Sequence, residues 1–357
     1  MKKFISVFLV ITILLSVSML FNACKTTIEI PETTTIEETT VVEETTVDTL
    51  PAGINALTGE YDALITDENN RMIAIVIENT PAARPQWGLT SPDILMEYEV
   101  EGGITRMLWL YANSEHIPEK VGPIRSARHD VVEIAYGFNA IFVHWGGSTF
   151  AYEKIREYGD TLDRRDGMYH KCFFRDKTRN VSSEHTGCAS GSVLRNSFGV
   201  AGFSTVHKED YVNPFRFSQT PRILSVNPCN SMKISYSSSY NYTFNFNTAT
   251  GKYDTLINGS PRVDDKGVQC AYQNVIILYT DIVSLETAKG HQEMLLENGG
   301  KGIYASGGTY EEITWTKTAE TEPIKLFDIY GNPLELNTGN SYLGLVRSTR
   351  SANTVIS

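Results

Sequence analysis

The chain has 357 residues, with 31 Lys and Arg against 42 Asp and Glu, and 41 % of it is hydrophobic. That apolar content supports a core and excludes wholesale disorder, while five cysteines are too few for a disulfide-built scaffold. A formal net charge of −11 offers no basic field to a phosphate backbone, so nucleic acid is excluded as an expected partner.

Lys2 and Lys3 precede an apolar run from Phe4 to Leu20, which leads into Asn22-Ala23-Cys24. A positive start, an apolar stretch at the short end for spanning and a small residue before Cys predict a secretion signal over residues 1–23. The Leu-Phe-Asn-Ala-Cys ending resembles a bacterial lipobox, which implies that Cys24 takes diacylglycerol. Several acyl chains, palmitate among them, hold a membrane far better than one does. The expected location is the extracytoplasmic face of the cell membrane, lipid-anchored. Residues 24–56 include the Thr/Glu repeat TTIEETTVVEETTVDTL, which reads as a solvated tether. The tether holds seven acidic residues and one Lys, and the body from Leu57 onward keeps a net charge of −7.

Residues 57–212 predict a mixed α/β domain around a buried sheet. Apolar runs at Arg71–Asn79, Ile94–Val100, Ile104–Ala112 and Ala140–Trp145 read as buried strands. Glu101-Gly102-Gly103 reads as the hairpin between the second and third. Ser126–Phe138, with Val131, Ile134, Ala135 and Phe138 on one face, reads as a helix, as do Thr149–Tyr158 and Ser183–Ser197. Pro214, Pro221 and Pro228 mark a change of character, and residues 213–357 predict a β-rich domain. Its strand candidates are Lys233–Tyr236, Tyr240–Phe246, Lys252–Ile257, Val275–Leu278, Gly302–Ser306, Glu312–Trp315 and Ile324–Ile329, with Asn258-Gly259 as a hairpin turn. The expected fold class is therefore α+β.

Several words then carry a resemblance: IENTPAARPQWGL (Ile77 to Leu89), EGGITR (Glu101 to Arg106), VGPIRSAR (Val121 to Arg128), VHWGGS (Val143 to Ser148), FFRD (Phe173 to Asp176), GKGIY (Gly300 to Tyr304) and TWTK (Thr314 to Lys317). In this order the chain resembles the YerB-like lipoproteins of Gram-positive bacteria. The resemblance implies a two-domain α/β protein on the outer face of the membrane, and it implies no reaction; no cofactor or metal is expected. The chain departs from the family pattern at Cys188.

The richest polar cluster is Arg106, Arg125, Ser126, Arg128, His144 and Ser148, beside Gly146 and Gly147, with Glu78, Glu97 and Glu101 nearby. Arginine suits a bidentate grip on phosphate or carboxylate, and the Gly146-Gly147-Ser148 turn could add N–H donors. The functional reading is a cleft for an anionic ligand of the cell wall; the alternative is internal pairing such as Arg125 with Glu78. His144, His185 and Ser148 are the catalytic candidates of a cell-wall-acting enzyme, although a His inside an apolar strand is more often a core residue. His185-Thr186-Gly187-Cys188 superficially resembles the L,D-transpeptidase word, with its spacing one residue off and no Arg following. The cysteines after Cys24 permit two disulfides in three pairings or none, and His170 with Cys172 lacks zinc spacing. Tyr240, Tyr242, Phe244 and Phe246 alternate as one strand face does, with core packing expected. The sequence thus predicts a membrane-anchored envelope protein that binds an anionic ligand or acts as a scaffold, with a cell-wall enzyme as the alternative.

Overall fold

A computed structural model of the full chain describes residues 53–65 and 70–357. The expected signal, Cys24 and most of the tether lie outside the described residues. In the first half, aliphatic runs form strands β1 (Ile73–Glu78), β2 (Ile94–Glu99), β3 (Thr105–Tyr111), β4 (Ile141–His144) and β5 (Thr161–Asp163). The second half supplies β6 (Ser231–Ser237), β7 (Tyr240–Asn247), β8 (Lys252–Ile257), β9 (Asn274–Thr280), β10 (Gly300–Ser306), β11 (Thr309–Thr316), β12 (Lys325–Asp328) and β13 (Ser341–Arg347). The α-helices are α1 (His129–Gly137), α2 (Thr149–Tyr158) and α3 (Gly191–Val200), so the α+β class holds.

One ten-stranded sheet runs β12-β11-β10-β9-β13-β2-β3-β1-β4-β5, drawing on both halves and crossing the boundary expected near residue 212. The joint is β13, which lies parallel to β9 on one side and to β2 on the other. The apolar runs do not predict β13, because Gly344 interrupts SYLGLVR. The glycine is there for space: a Cβ at 344 would lie 2.6 Å from the Tyr236 hydroxyl and 3.2 Å from Ile277. The expected helix Ser183–Ser197 is also different. It divides into a 3-10 turn (Ser183–His185), a short strand (Gly187–Ala189) and α3. Gly187 is pressed against the Trp145 ring, where a Cβ would come within 2.7 Å. Strand 187–189 pairs with Phe173–Arg175, and the helix starts only after Ser190.

Alternation along β1 sends Ala74 and Val76 to one face and Ile73, Ile75 and Ile77 to the other. The first face packs on Val131, Val132, Ile134 and Ala135 of α1 and continues to Ile276 and Trp315. The second is covered by the smaller sheet β6–β8, through Met232, Ile234, Tyr236, Tyr242 and Phe244, and by Leu194 and Phe198 of α3. Tyr240, Tyr242 and Phe244 are buried, and Phe246 packs beside them.

A charged network joins the two sheets. Fully buried Glu97 accepts from Thr105 at 2.6 Å, Asn79 at 2.9 Å and Tyr342 at 3.1 Å, and Arg262 stands 3.6 Å away. Arg262 also donates to the Tyr242 hydroxyl and to Asn79. Cys172, Cys188, Cys229 and Cys270 are buried free thiols, so none of the permitted disulfides forms among them. Among the described residues no helix is long and apolar enough to cross a membrane.

Beside this body, His207 stacks on Tyr211 with ring centroids 3.9 Å apart. Burial, with Arg71 nearby, pushes the His207 imidazole down to about 4. The unfolded chain therefore binds more protons than the folded one between about pH 6.5 and pH 4, and stability is lost as pH falls through that window. Urea unfolding at pH 7 and pH 5 is expected to show a lower midpoint at pH 5, with a smaller drop in His207→Phe, which keeps the stack. An equal drop in both proteins would refute the assignment to His207.

Candidate functional site

Parallel β1 and β4 pair only from Ile73↔Ile141 to Ile75↔Val143. Beyond that they part, and residues 123–127 fill the gap. Glu78 N–H donates to Pro123 O at 2.8 Å, Arg125 N–H to Val76 O at 3.0 Å, Trp145 N–H to Arg125 O at 3.0 Å and Ala127 N–H to Gly146 O at 2.9 Å. Strand β5 lies parallel to β4 on its other side. Glu78, the turn Trp145–Ser148 and Asp163–Arg165 thus emerge together at the carboxyl ends of parallel neighbours, where open α/β sheets take ligands.

Within this crevice Glu78 is 1 % exposed. It accepts from His185 Nδ1 and from the Thr80 hydroxyl, each at 2.8 Å, and its other oxygen lies 3.5 Å from Arg125 Nε. Arg125 also reaches the Glu184 carboxylate at 3.3 Å. Arg128 grips Glu101 with a two-pronged contact at 2.6 and 2.7 Å. Part of the cluster is therefore internally paired, Arg125 with Glu78 included. Arg106 is not. It is 7 % exposed and donates to the Ser126 carbonyl at 2.8 Å. Burial, and then Arg128 alongside, push its guanidinium down to about 10.

The glycine turn looks inward. Gly146 N–H is answered by Asp163 Oδ1 at 2.8 Å, and Asp163 also accepts from the Tyr152 hydroxyl at 2.7 Å. Gly147 pairs with Ala127. The Ser148 hydroxyl caps α2, accepting from Ala151 N–H at 3.1 Å. His144 has no exposed surface, and its Nδ1 meets Gly146 O at 2.7 Å. Burial lowers its pKa, so it is a neutral core imidazole stacked on Phe142. These four residues shape the crevice and present no side chain to a ligand. Ser148→Ala is accordingly expected to lower stability by about 1 kcal/mol, the value of a helix cap, with anion affinity unchanged. Urea titration and calorimetry check the two halves of that statement.

Cys188 is fully buried and burial pushes its thiol up to about 12, far from the thiolate a nucleophile requires. Among the described residues no group of His, Cys, Asp and Glu is placed to hold a metal ion. Two clefts, of about 810 and 570 Å3, lie elsewhere, beside Tyr279 and Lys301 and beside Tyr136 and Pro323. None of the residues that the sequence predicts for the site lines them.

Three arginines escape the sequence reading. Arg164 and Arg165 follow β5, and Arg175 sits in FFRD. Arg175 and Arg164 lie over the Trp145 ring at 4.2 and 5.3 Å, and Arg165 lies over Tyr152 at 5.5 Å. Such cation–π contacts hold a guanidinium in place without cancelling its charge. Among the described residues no Asp or Glu oxygen lies within 4.0 Å of the guanidinium of Arg106, Arg164, Arg165 or Arg175. The signal available in the sequence is the Arg164-Arg165 pair directly after a strand.

The comparisons with known proteins agree with this architecture. The family described as "Protein of unknown function (DUF3048)" matches through its N-terminal domain at residues 57–204 and its C-terminal domain at residues 232–343. The Bacillus subtilis (strain 168) protein named "Putative lipoprotein YerB" is 27 % identical over 319 residues, covering 86 % of this chain and 91 % of that one. The crystal structure of YerB protein from Bacillus subtilis superposes with a TM-score of 0.71 at 27 % identity, over 85 % of this chain and 99 % of that one. With both domains matched in order and the fold shared, the chain belongs to the YerB-like family of two-domain proteins of unknown function.

Proposed function

We propose that this chain is anchored by lipid at Cys24 to the outer face of the membrane and binds an anionic ligand of the cell envelope in the arginine crevice. The observation that carries the reading is unanswered positive charge: Arg106, Arg164, Arg165 and Arg175 gather where Trp145, Ser126 and the strand ends meet, in a chain with an acidic balance overall. Like charges held together without acidic partners destabilise the free protein, and an oxyanion relieves them through charge-assisted hydrogen bonds. Calorimetric titration of the full-length chain with pyrophosphate is expected to give salt-sensitive binding, weakened at least tenfold in Arg175→Glu, a change at an exposed member of that set. Equal affinity in that variant would sink the site assignment. Anchoring is supported by the Cys24 motif and by the name of the relative. Labelling with an alkyne analogue of palmitate is expected to mark the wild type and to leave Cys24→Ala unmarked.

One contact favours a second reading, turnover of envelope material. Buried Glu78 holds His185 at 2.8 Å, an arrangement that orients an imidazole as a general base. His185→Gln would then retain binding of a cell-wall fragment while losing its hydrolysis. Absence of hydrolysis by the wild type removes this reading.

A further inference from the structure

The arginines of the crevice do not converge on one point. Each is fixed by a different neighbour. Arg128 is held by Glu101, Arg106 by the Ser126 carbonyl, and Arg125 by Glu78 and Glu184. Arg175 and Arg164 are held by the Trp145 ring, and Arg175 also donates to Ser183 O. Neighbours share anchors in the same succession: Arg128 donates to Ala127 O and Arg106 to Ser126 O, Arg125 to Glu184 O and Arg175 to Ser183 O, and Arg175 and Arg164 share the Trp145 ring. Arg106 has Arg128 and Arg125 as neighbouring like charges, and Arg175 has Arg125 and Arg164. The five therefore form a row, Arg128, Arg106, Arg125, Arg175 and Arg164, across the carboxyl ends of the parallel strands.

Resting on the anion-binding reading above, we infer that the ligand is a linear polyanion of repeated phosphates, laid along this row. A single phosphate presents its oxygens to two or three guanidinium groups at most. It leaves the charge farther along the row unmet, since of the five only Arg125 and Arg128 have carboxylate partners. Charge spread along a line is met by charge spread along a line, and each neutralised phosphate also releases counterions. The aromatic surface in the row is already occupied: Arg175 and Arg164 lie over Trp145, Phe173 meets it edge-on and Gly187 is pressed against it. The Trp145 ring therefore offers no open face for a base to stack on, and the chain of phosphates is one without nucleobases.

The test titrates the full-length chain, in detergent micelles, with pyrophosphate and with medium-chain inorganic polyphosphate at several salt concentrations. Affinity counted per phosphate is expected to be at least tenfold higher for polyphosphate. The slope of log K against log salt should be steeper than about −2 for polyphosphate and shallower than that for pyrophosphate. Arg164→Ser and Arg175→Ser, both partly exposed, should each reduce the polyphosphate slope by about 1 while the unfolding midpoint stays in place. Equal per-phosphate affinity with a shallow slope would overturn the row and leave the anion-binding reading standing. Failure to bind either probe would overturn both. Tighter binding of single-stranded DNA of matched charge would overturn the base-free assignment.

Discussion

Arg262→Met is expected to lower the thermal midpoint by roughly 10 °C. Arg262 is the cation of the network that joins the two sheets, with Glu97 fully buried 3.6 Å from it. Methionine keeps much of the volume and removes the charge. Glu97 then remains among Thr105, Asn79 and Tyr342, which donate to it and carry no positive charge. Removing one member of a buried pair costs about 3–5 kcal/mol, chiefly because the other is stranded. For a body of this size that is a few degrees per kcal/mol. The double variant Arg262→Met with Glu97→Gln should recover part of the loss, since it removes the stranded charge as well. A midpoint within about 3 °C of the wild type in the single variant would show that the network is not a stabilising contact between the sheets.

Gly344→Val is the second large effect. An added Cβ meets the Tyr236 hydroxyl at 2.6 Å, Tyr342 at 3.1 Å and Ile277 at 3.2 Å. These belong to the smaller sheet, to β13 itself and to β9, so no single neighbour can move aside. Overpacking of this kind typically costs about 1–3 kcal/mol and occasionally more. Because β13 binds β9 and β2 together, the damage should reach both halves at once. Fluorescence and far-ultraviolet dichroism are expected to report one shared, lowered transition. Gly199→Ala in α3, where a Cβ meets nothing within 4 Å, should be neutral or slightly stabilising. Two separated transitions in the wild type would contradict the role given to β13.

The elements that the sequence made legible are those whose partners are close at hand. β1 to β4 fall on short, largely apolar runs whose few charged residues do not hide them, and α2 begins where Ser148 stands ready to cap it. β13 is hidden because its one irregular residue, Gly344, answers to Tyr236 and Ile277, both far away in sequence. The helix read over Ser183–Ser197 failed for a similar reason, since Gly187 is dictated by Trp145. At the site, Glu78, Arg106, Arg125, Arg128 and His185 were visible as charged residues inside recognisable words. Arg164, Arg165 and Arg175 gain their place only when β5 and residues 173–175 fold back over Trp145 and Tyr152. The turn Gly146-Gly147-Ser148 shows the reverse error. Its composition suits an anion, yet the chain supplies its own carboxylate, Asp163, from the next strand.

β13 follows every other strand of the large sheet in sequence, yet it occupies a middle place in that sheet. During synthesis or export, β2 and β9 must therefore wait with bare edges until nearly the whole chain has emerged. Unpaired edges are sticky, and pairing across such sequence distance is slow. A product clipped before Ser341 would hold most of its apolar residues and still lack the strand that closes the gap. The fold thus carries its own proof of length: only a chain delivered through residue 347 can seal its sheet.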